Sequence, residues 1–307
     1  VIKKIALPKF SVGTASTILG AISYGIPGIV LSLASAAGGN VSNIIATQYL
    51  LAFTFFFMLS EFGKRQPTPF SLREKIIVFA SGAPALGINY CFYQSLSYVG
   101  IPIATMMLMQ SAWIAPLISS VIHRRKINSR ELISMTLIIV GVLVATGMFT
   151  GAFKLNMLGI GWGIGAALSY SLVILSSANI AKGTRVADKA KLVTLGGFIC
   201  SLFLLSDSVD ISIFKDDTLW AMLNAVFSSI LPIALFAYGM PRTSPTVAGI
   251  LVTLELPSAY IFSWLILSET ITSSQIIGCL IIVAAISLAS LDGLTIENLK
   301  KWLSRSK

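Results

Sequence analysis

Charge is scarce in this chain: 11% of its 307 residues are Asp, Glu, Lys or Arg, against about 25% in an ordinary soluble domain. Too little polar surface is available to coat a water-soluble globule of this size. Histidine is almost missing, with His123 alone, and cysteine occurs three times, at widely spaced Cys91, Cys200 and Cys279. Those shortages exclude a disulfide scaffold, a His/Cys metal site and a histidine-based catalytic triad. Serines are plentiful, but none has a basic partner inside an apolar segment, so no enzyme and no cofactor is expected. What is abundant is apolar mass: 55% of residues are hydrophobic and the mean hydropathy is +0.87, which also excludes disorder. The remaining class is a polytopic membrane protein.

A spanning helix needs about 20 mostly apolar residues, because each rises about 1.5 Å through a core about 30 Å thick. Ten such stretches follow one another, at roughly 11–36, 42–60, 75–98, 101–122, 131–149, 157–180, 190–206, 218–240, 246–267 and 273–291. They are continuous rather than alternating, which argues for helices over barrel strands. Lys3, Lys4 and Lys9 precede the first stretch, but Phe10 to Ala37 is too long for the apolar region of a cleaved signal; a retained first helix is expected. The predicted fold is therefore an all-α membrane protein of ten transmembrane helices.

Placing alternate connections on opposite sides puts 20 of the 22 Lys and Arg residues on one side, leaving Lys154 and Lys215 on the other. Cytoplasmic loops collect such residues, so both termini are expected in the cytoplasm of a multi-pass protein of the cell's inner (plasma) membrane. The same distribution accounts for the net charge of +10. The positive charges lie in juxtamembrane loops facing the lipid bilayer, and no nucleic-acid partner is expected. Residues 293–307, with Ile296, Leu299 and Leu303 beside Lys300, Lys301 and Arg305, read as a basic cytoplasmic tail lying on the membrane surface.

An internal repeat emerges when residues 104–145 are laid on 248–289 at a constant offset of 144. Ala104/Ala248, Ala115/Ala259, Ser119/Ser263, Ile127/Ile271, Ser129/Ser273, Ile138/Ile282 and Ala145/Ala289 coincide. The basic turn His123-Arg124-Arg125-Lys126 falls over the acidic-side turn Leu267-Ser268-Glu269-Thr270, as for hairpins on opposite faces of a membrane. Five spans per copy force that inversion. The division is 1–150 and 151–292, two inverted five-helix repeats, an arrangement typical of transporters with a site near the midplane.

The run Leu254-Glu255-Leu256-Pro257 through Trp264-Leu265-Ile266-Leu267-Ser268-Glu269-Thr270, followed by Gln275 and Gly278, resembles the closing hairpin of EamA-type transporters of the drug/metabolite transporter superfamily. Arg125-Lys126-Ile127 and Leu137 to Val142 are similar to its counterpart in the first copy, and Ala-Leu-Ser-Tyr at 167–170 to the opening of the second. The resemblance implies alternating-access carriage of a small-molecule substrate, with export of amino acids or related metabolites as the leading expectation and a monomer or homodimer as the unit. Uptake of an amine or quaternary ammonium compound, and a membrane scaffold, remain as alternatives. Many relatives begin the second helix with Arg where this chain has Gln48-Tyr49, so no role of that Arg carries over.

Glu255 is the acid that falls near the middle of a span, where a charge costs on the order of 2.5–3.5 kcal/mol or more unless paired or hydrated. With every Lys and Arg placed outside the core, it has no basic partner there. It reads either as a group that binds protons or a substrate amine, or as a neutral acid making one structural hydrogen bond. Asn89 and Tyr93 share a helical face with Gly82 and Ala85; Gln110 and Trp113 lie on one with Met106; Asn224 and Tyr238 form a stripe with Ser228, Leu231 and Leu235. These groups could orient a solute or serve as interhelical glue. Tyr24, Gln48, Tyr49, Asn224 and Tyr260 are weaker candidates. Tyr24-Gly25-Ile26-Pro27-Gly28, Pro84, Pro116, Pro232 and Pro257 predict broken helices. Gly159, Gly161, Gly163 and Gly165 predict close helix packing.

Overall fold

The computed structural model describes residues 12–62, 70–124, 126–147, 156–180, 183–204, 217–243, 245–268 and 270–290. The tail at 293–307 lies outside them. Every regular element among the described residues is helical: α1 Val12–Ser23, α2 Pro27–Ala36, α3 Val41–Phe62, α4 Leu72–Ala80, α5 Gly82–Leu108, α6 Ser111–Ile122, α7 Ser129–Ala145, α8 Met157–Asn179, α9 Val186–Leu204, α10 Thr218–Asn224, α11 Leu231–Gly239, α12 Pro245–Leu251, α13 Glu255–Leu267 and α14 Ser273–Ser290. Among the described residues, seven helical segments, taken with their continuations across the breaks, are long and apolar enough to cross a membrane; Glu131–Ala145 and Ser273–Leu288 are shorter apolar helices. A multi-pass membrane protein follows. The outside is apolar, with Phe62, Val121 and Phe203 all more than three-quarters exposed, while Gln48, Asn224, Ser95 and Ser171 are completely buried. That distribution suits a lipid solvent, in which polar groups must find partners inside the protein.

Local chemistry sets the helix ends. The Ser71 hydroxyl accepts from the Glu74 amide and the Glu74 carboxylate accepts from the Ser71 amide, a reciprocal cap that starts α4. Asn156 Oδ1 accepts from the Leu158 amide at 2.9 Å to start α8. Gly100, at φ +77°, turns the chain between the two segments of α5, a conformation that side chains with a Cβ resist.

The breaks carry more information than the ends. The first span parts at Tyr24-Gly25-Ile26, and Pro27 opens α2, where its missing N–H costs nothing. α4 gives way to α5 at Ser81, and α10 gives way at Ala225 to a π-helical segment, Ala225–Ile230, that leads into α11. Gln110 caps α6 after a turn at Met109; Leu254 caps α13 after a 3-10 turn, Val252–Leu254. Ser81 and Ala225 lie 144 positions apart, and so do Gln110 and Leu254. Two breaks thus recur at the offset on which residues 104–145 match 248–289.

Packing is organised in pairs: α5 lies along α8, α7 along α14, α3 along α9 and α1 along α11. Small residues permit the approach. A Cβ on Gly278 would meet Ala145 and the Gly141 carbonyl of α7, and one on Gly196 would overlap the Phe79 carbonyl. Of the four glycines on α8, Gly159 and Gly163 press against Val99 and Met107, Gly165 makes ordinary contact with Cys91, and Gly161 faces open space. Close packing there involves one face of the helix.

Candidate functional site

Three features of the chain bring the candidate site together at the middle of the bundle. The break in the first span presses Gly25 so closely on Ser258 and Ala259 that a Cβ would stand 2.7 Å from the Ala259 nitrogen. Tyr24 is thereby held beside the start of α13. There the 3-10 turn and Pro257, in the first turn of α13, place Glu255 as the first residue of the new helix. From α8, fully buried Tyr170 completes the group. Tyr24 meets Tyr170 edge-on at 5.8 Å between centroids and Phe236 at 5.7 Å. Both tyrosine hydroxyls interact electrostatically with the Glu255 carboxyl. Yet neither the Tyr170 hydroxyl nor Glu255 Oε2 completes a hydrogen bond of normal geometry. An acid with two hydroxyls and an aromatic ring close by can hold a proton, or receive a cationic group against the ring faces.

Tyr24 also interacts with Tyr49, and through it the acid joins a second polar group. Asn89 Nδ2 donates to the Tyr49 hydroxyl at 3.3 Å, and the Ser228 hydroxyl donates to Asn89 Oδ1 at 3.0 Å. One residue before Tyr49 and four before Ser228, the Asn224 amide donates to the Gln48 side-chain carbonyl. All five residues are buried. This network joins α3, α5 and the α10–π segment in the half of the bundle where α3 and α10 begin.

In the other half lies a cavity of about 30 Å³ that reaches Tyr24, Tyr49 and Phe236, with room for about two waters. Its remaining polar lining is Ser81, Ser176, Ser177 and Lys189. Lys189 is 4% exposed, and its ammonium donates to the Ser177 carbonyl at 3.1 Å. This corrects the placement of every basic side chain outside the core. α9, the seventh of the expected spans, starts at Val186 rather than near 190, so Lys189 sits one turn inside it.

The sequence-derived candidates fall into three groups. Glu255 and Tyr24 come together with Tyr170 and Phe236, which sequence reasoning did not single out; Tyr170 ends the Ala-Leu-Ser-Tyr run and could have been noticed as an aromatic among small residues. Gln48, Tyr49, Asn89 and Asn224 meet in the network. The others stand apart. Gln110 and Trp113 pair with each other, Trp113 Nε1 donating to Gln110 Oε1 at 2.7 Å. Tyr93 packs, partly buried, against the cluster around Ile44 and Leu86. Tyr260 donates its hydroxyl to the Ala145 carbonyl at 2.9 Å, tying α13 to α7. Tyr238 lies under the Arg242 guanidinium at 3.9 Å. The predicted stripe from Asn224 to Tyr238 fails for a geometric reason. The π segment at Ala225–Ile230 adds residues to the turn, so beyond Ser228 it is Ile233, Phe236 and Ala237 that face the cavity. Among the described residues no three His, Cys, Asp or Glu side chains are grouped to hold a metal ion.

Comparisons with known proteins agree with this architecture. A transporter from Archaeoglobus fulgidus, itself uncharacterised, is 27% identical over 277 residues, 87% of this chain and 96% of its own length. One solved crystal structure superposes with a TM-score of 0.72 at 13% identity, covering 91% of this chain and 96% of that one, a likeness of fold alone. The model of the EamA-like transporter family matches twice, at residues 11–147 and 157–291. With nearly its whole length matched in this way, the chain belongs to the EamA-like transporter family.

Proposed function

We propose that this chain is a secondary transporter that moves a small metabolite across the cell membrane by alternating access, most simply an exporter of amino acids or related compounds. In this reading ten spans form two inverted five-helix copies, residues 1–150 and 151–292, with both termini in the cytoplasm. The double family match supports the two copies. So do the breaks repeated at an offset of 144. The helix pairings point the same way: exchanging the copies turns the α5·α8 pair into α11·α1 and maps α3·α9 and α7·α14 onto themselves.

The observation that carries the functional reading is the Glu255 carboxyl at mid-bundle beside the Tyr24 and Tyr170 hydroxyls. In a low-dielectric interior, a carboxyl is tolerated as a neutral acid or against a cation. It can therefore exchange a proton for a substrate ammonium group. Purified protein in liposomes, preloaded with each amino acid in turn, tests this by counterflow. The wild type is expected to exchange at least one solute, and Glu255→Gln to slow that exchange about tenfold or more. Exchange by the Gln variant with unchanged rate and pH profile would remove Glu255 from the mechanism. Absence of counterflow for every solute would favour a scaffold.

The ring cluster of Tyr24, Tyr170 and Phe236 around an acid favours a second reading, uptake of an amine or quaternary ammonium compound. Choline as the counterflow solute separates the two, because it carries the cation without a carboxylate.

A further inference from the structure

Asp217 immediately precedes α10, the position from which an aspartate ordinarily caps a helix by accepting from its first amides. Here the side chain does not turn back on its own helix. It is 8% exposed and accepts instead from the backbone amide of Asn40 at 3.0 Å. The loop between α2 and α3 is shaped to receive it. Gly38 turns the chain at φ +85°, and a Cβ on Gly39 would stand 2.6 Å from Asp217 Oδ1, so this close approach depends on glycine. Asn40 in turn caps α3, its Oδ1 accepting from the Ser42 and Asn43 amides. The Asp217 carboxylate therefore lies at the amino-terminal end of a 22-residue helix. The helix dipole favours a negative charge there, and the Asn40 amide supplies a charge-assisted hydrogen bond.

From this contact α3 and α10 run together into the bundle, and about two turns on they meet again at Gln48 and Asn224. That seam is incompletely satisfied. Gln48 Nε2, Asn224 Oδ1 and, five residues farther along in the π segment, the Ser229 hydroxyl are buried without a hydrogen-bond partner. Each weighs against the closed seam, because water would satisfy it if the helices parted. The charged contact at the outer end of the seam weighs the other way, and it joins residues of the two family-matched segments. We propose that Asp217 is a latch: it holds α10 and the π segment against α3, and its detachment from Asn40 admits water to the seam and opens the half of the bundle opposite the cavity. The latch rests on the reading of the chain as a carrier, for which it supplies the gate on that side.

The test uses the full-length protein in detergent, with Cys91, Cys200 and Cys279 replaced by alanine and a single reporter cysteine added. One reporter is Ser229→Cys in the seam. The other is Ser134→Cys on α7, equally buried but on a helix that packs chiefly on α14. A water-soluble maleimide is expected to label Ser229→Cys at least tenfold faster once Asp217→Ala is added. Asp217→Asn, which keeps the shape without the charge, should raise the rate several-fold and keeps the test usable where the alanine variant folds poorly. Ser134→Cys should label at one rate in all backgrounds. An unchanged rate at Ser229→Cys overturns the latch. So does an equal rise at both reporters, since the carboxylate then merely supports the fold. Counterflow by the wild type in liposomes keeps the two readings apart. Exchange of a solute with no change at Ser229→Cys leaves the carrier standing without this latch. No exchange of any solute removes the path that the latch would open, and the proposal with it.

Discussion

Toward the start of α9 the centre of the bundle contains space, lined by serines and a lysine; toward the starts of α3 and α10 it contains interlocked amides. Both halves are polar, so hydropathy does not distinguish them. What differs is whether the side chains hydrogen-bond one another or the backbone. Ser81, Ser176 and Lys189 line a cavity, whereas Asn224 binds Gln48, and Asn89 bridges Tyr49 and Ser228. In the carrier reading, these amides and the apolar cluster around Ile44, Ile45 and Leu86 close this side together. Tyr49 belongs to both regions, since it lines the cavity and accepts from Asn89.

The contrast can be broken most severely where α4 and α9 touch, beside the cavity-lining Val78 and Val193. Gly196→Leu would drive a side chain into the Phe79 carbonyl. Overpacking of this kind costs about 1–3 kcal/mol or more, so the variant should lose folded protein, as seen by size-exclusion yield and thermal unfolding. A smaller effect is expected from Asn224→Leu, which removes the donor to the buried Gln48 side-chain carbonyl and should destabilise by about 1–2 kcal/mol. Combining it with Gln48→Leu should recover much of that loss, because both partners are then apolar. In the Asn224→Leu background a cysteine at Asn43, buried near the start of α3, should react several-fold faster with a maleimide. Unchanged reactivity would show that the amides do not hold this half shut. The mildest change is Tyr49→Phe, which keeps the ring and removes one acceptor. It should cost about 0.6 kcal/mol, read by thermal unfolding.

The sequence was most legible where physics is one-dimensional. Hydropathy located Val12–Ala36, Val41–Phe62 and Met157–Asn179 to within two residues, and the proline positions anticipated the breaks before α2 and at α13. Glu255 could be singled out because an acid inside an apolar run has few explanations. Tyr170 and Phe236 could not, since a buried aromatic looks the same in sequence whether it packs against leucine or against a carboxyl. Lys189 was missed because charged residues were used to mark where the seventh span begins; a lysine one turn inside a helix, with its stem along apolar neighbours, violates that ruler. The π segment at Ala225–Ile230 has no proline or glycine of its own, and a face drawn with a fixed period of 3.6 runs past it.

The paired breaks have a mechanical consequence. Ser81 and Ala225, like Gln110 and Leu254, interrupt the backbone 144 positions apart. Under the inverted arrangement, equal bends at such points swing their outer arms toward opposite surfaces while the middle of the molecule stays still. The position matching Glu255 at this offset is Ser111, also buried. In the proposed carrier, then, the hinges are duplicated and the acid is not: a symmetric rocking motion is read by a single asymmetric sensor.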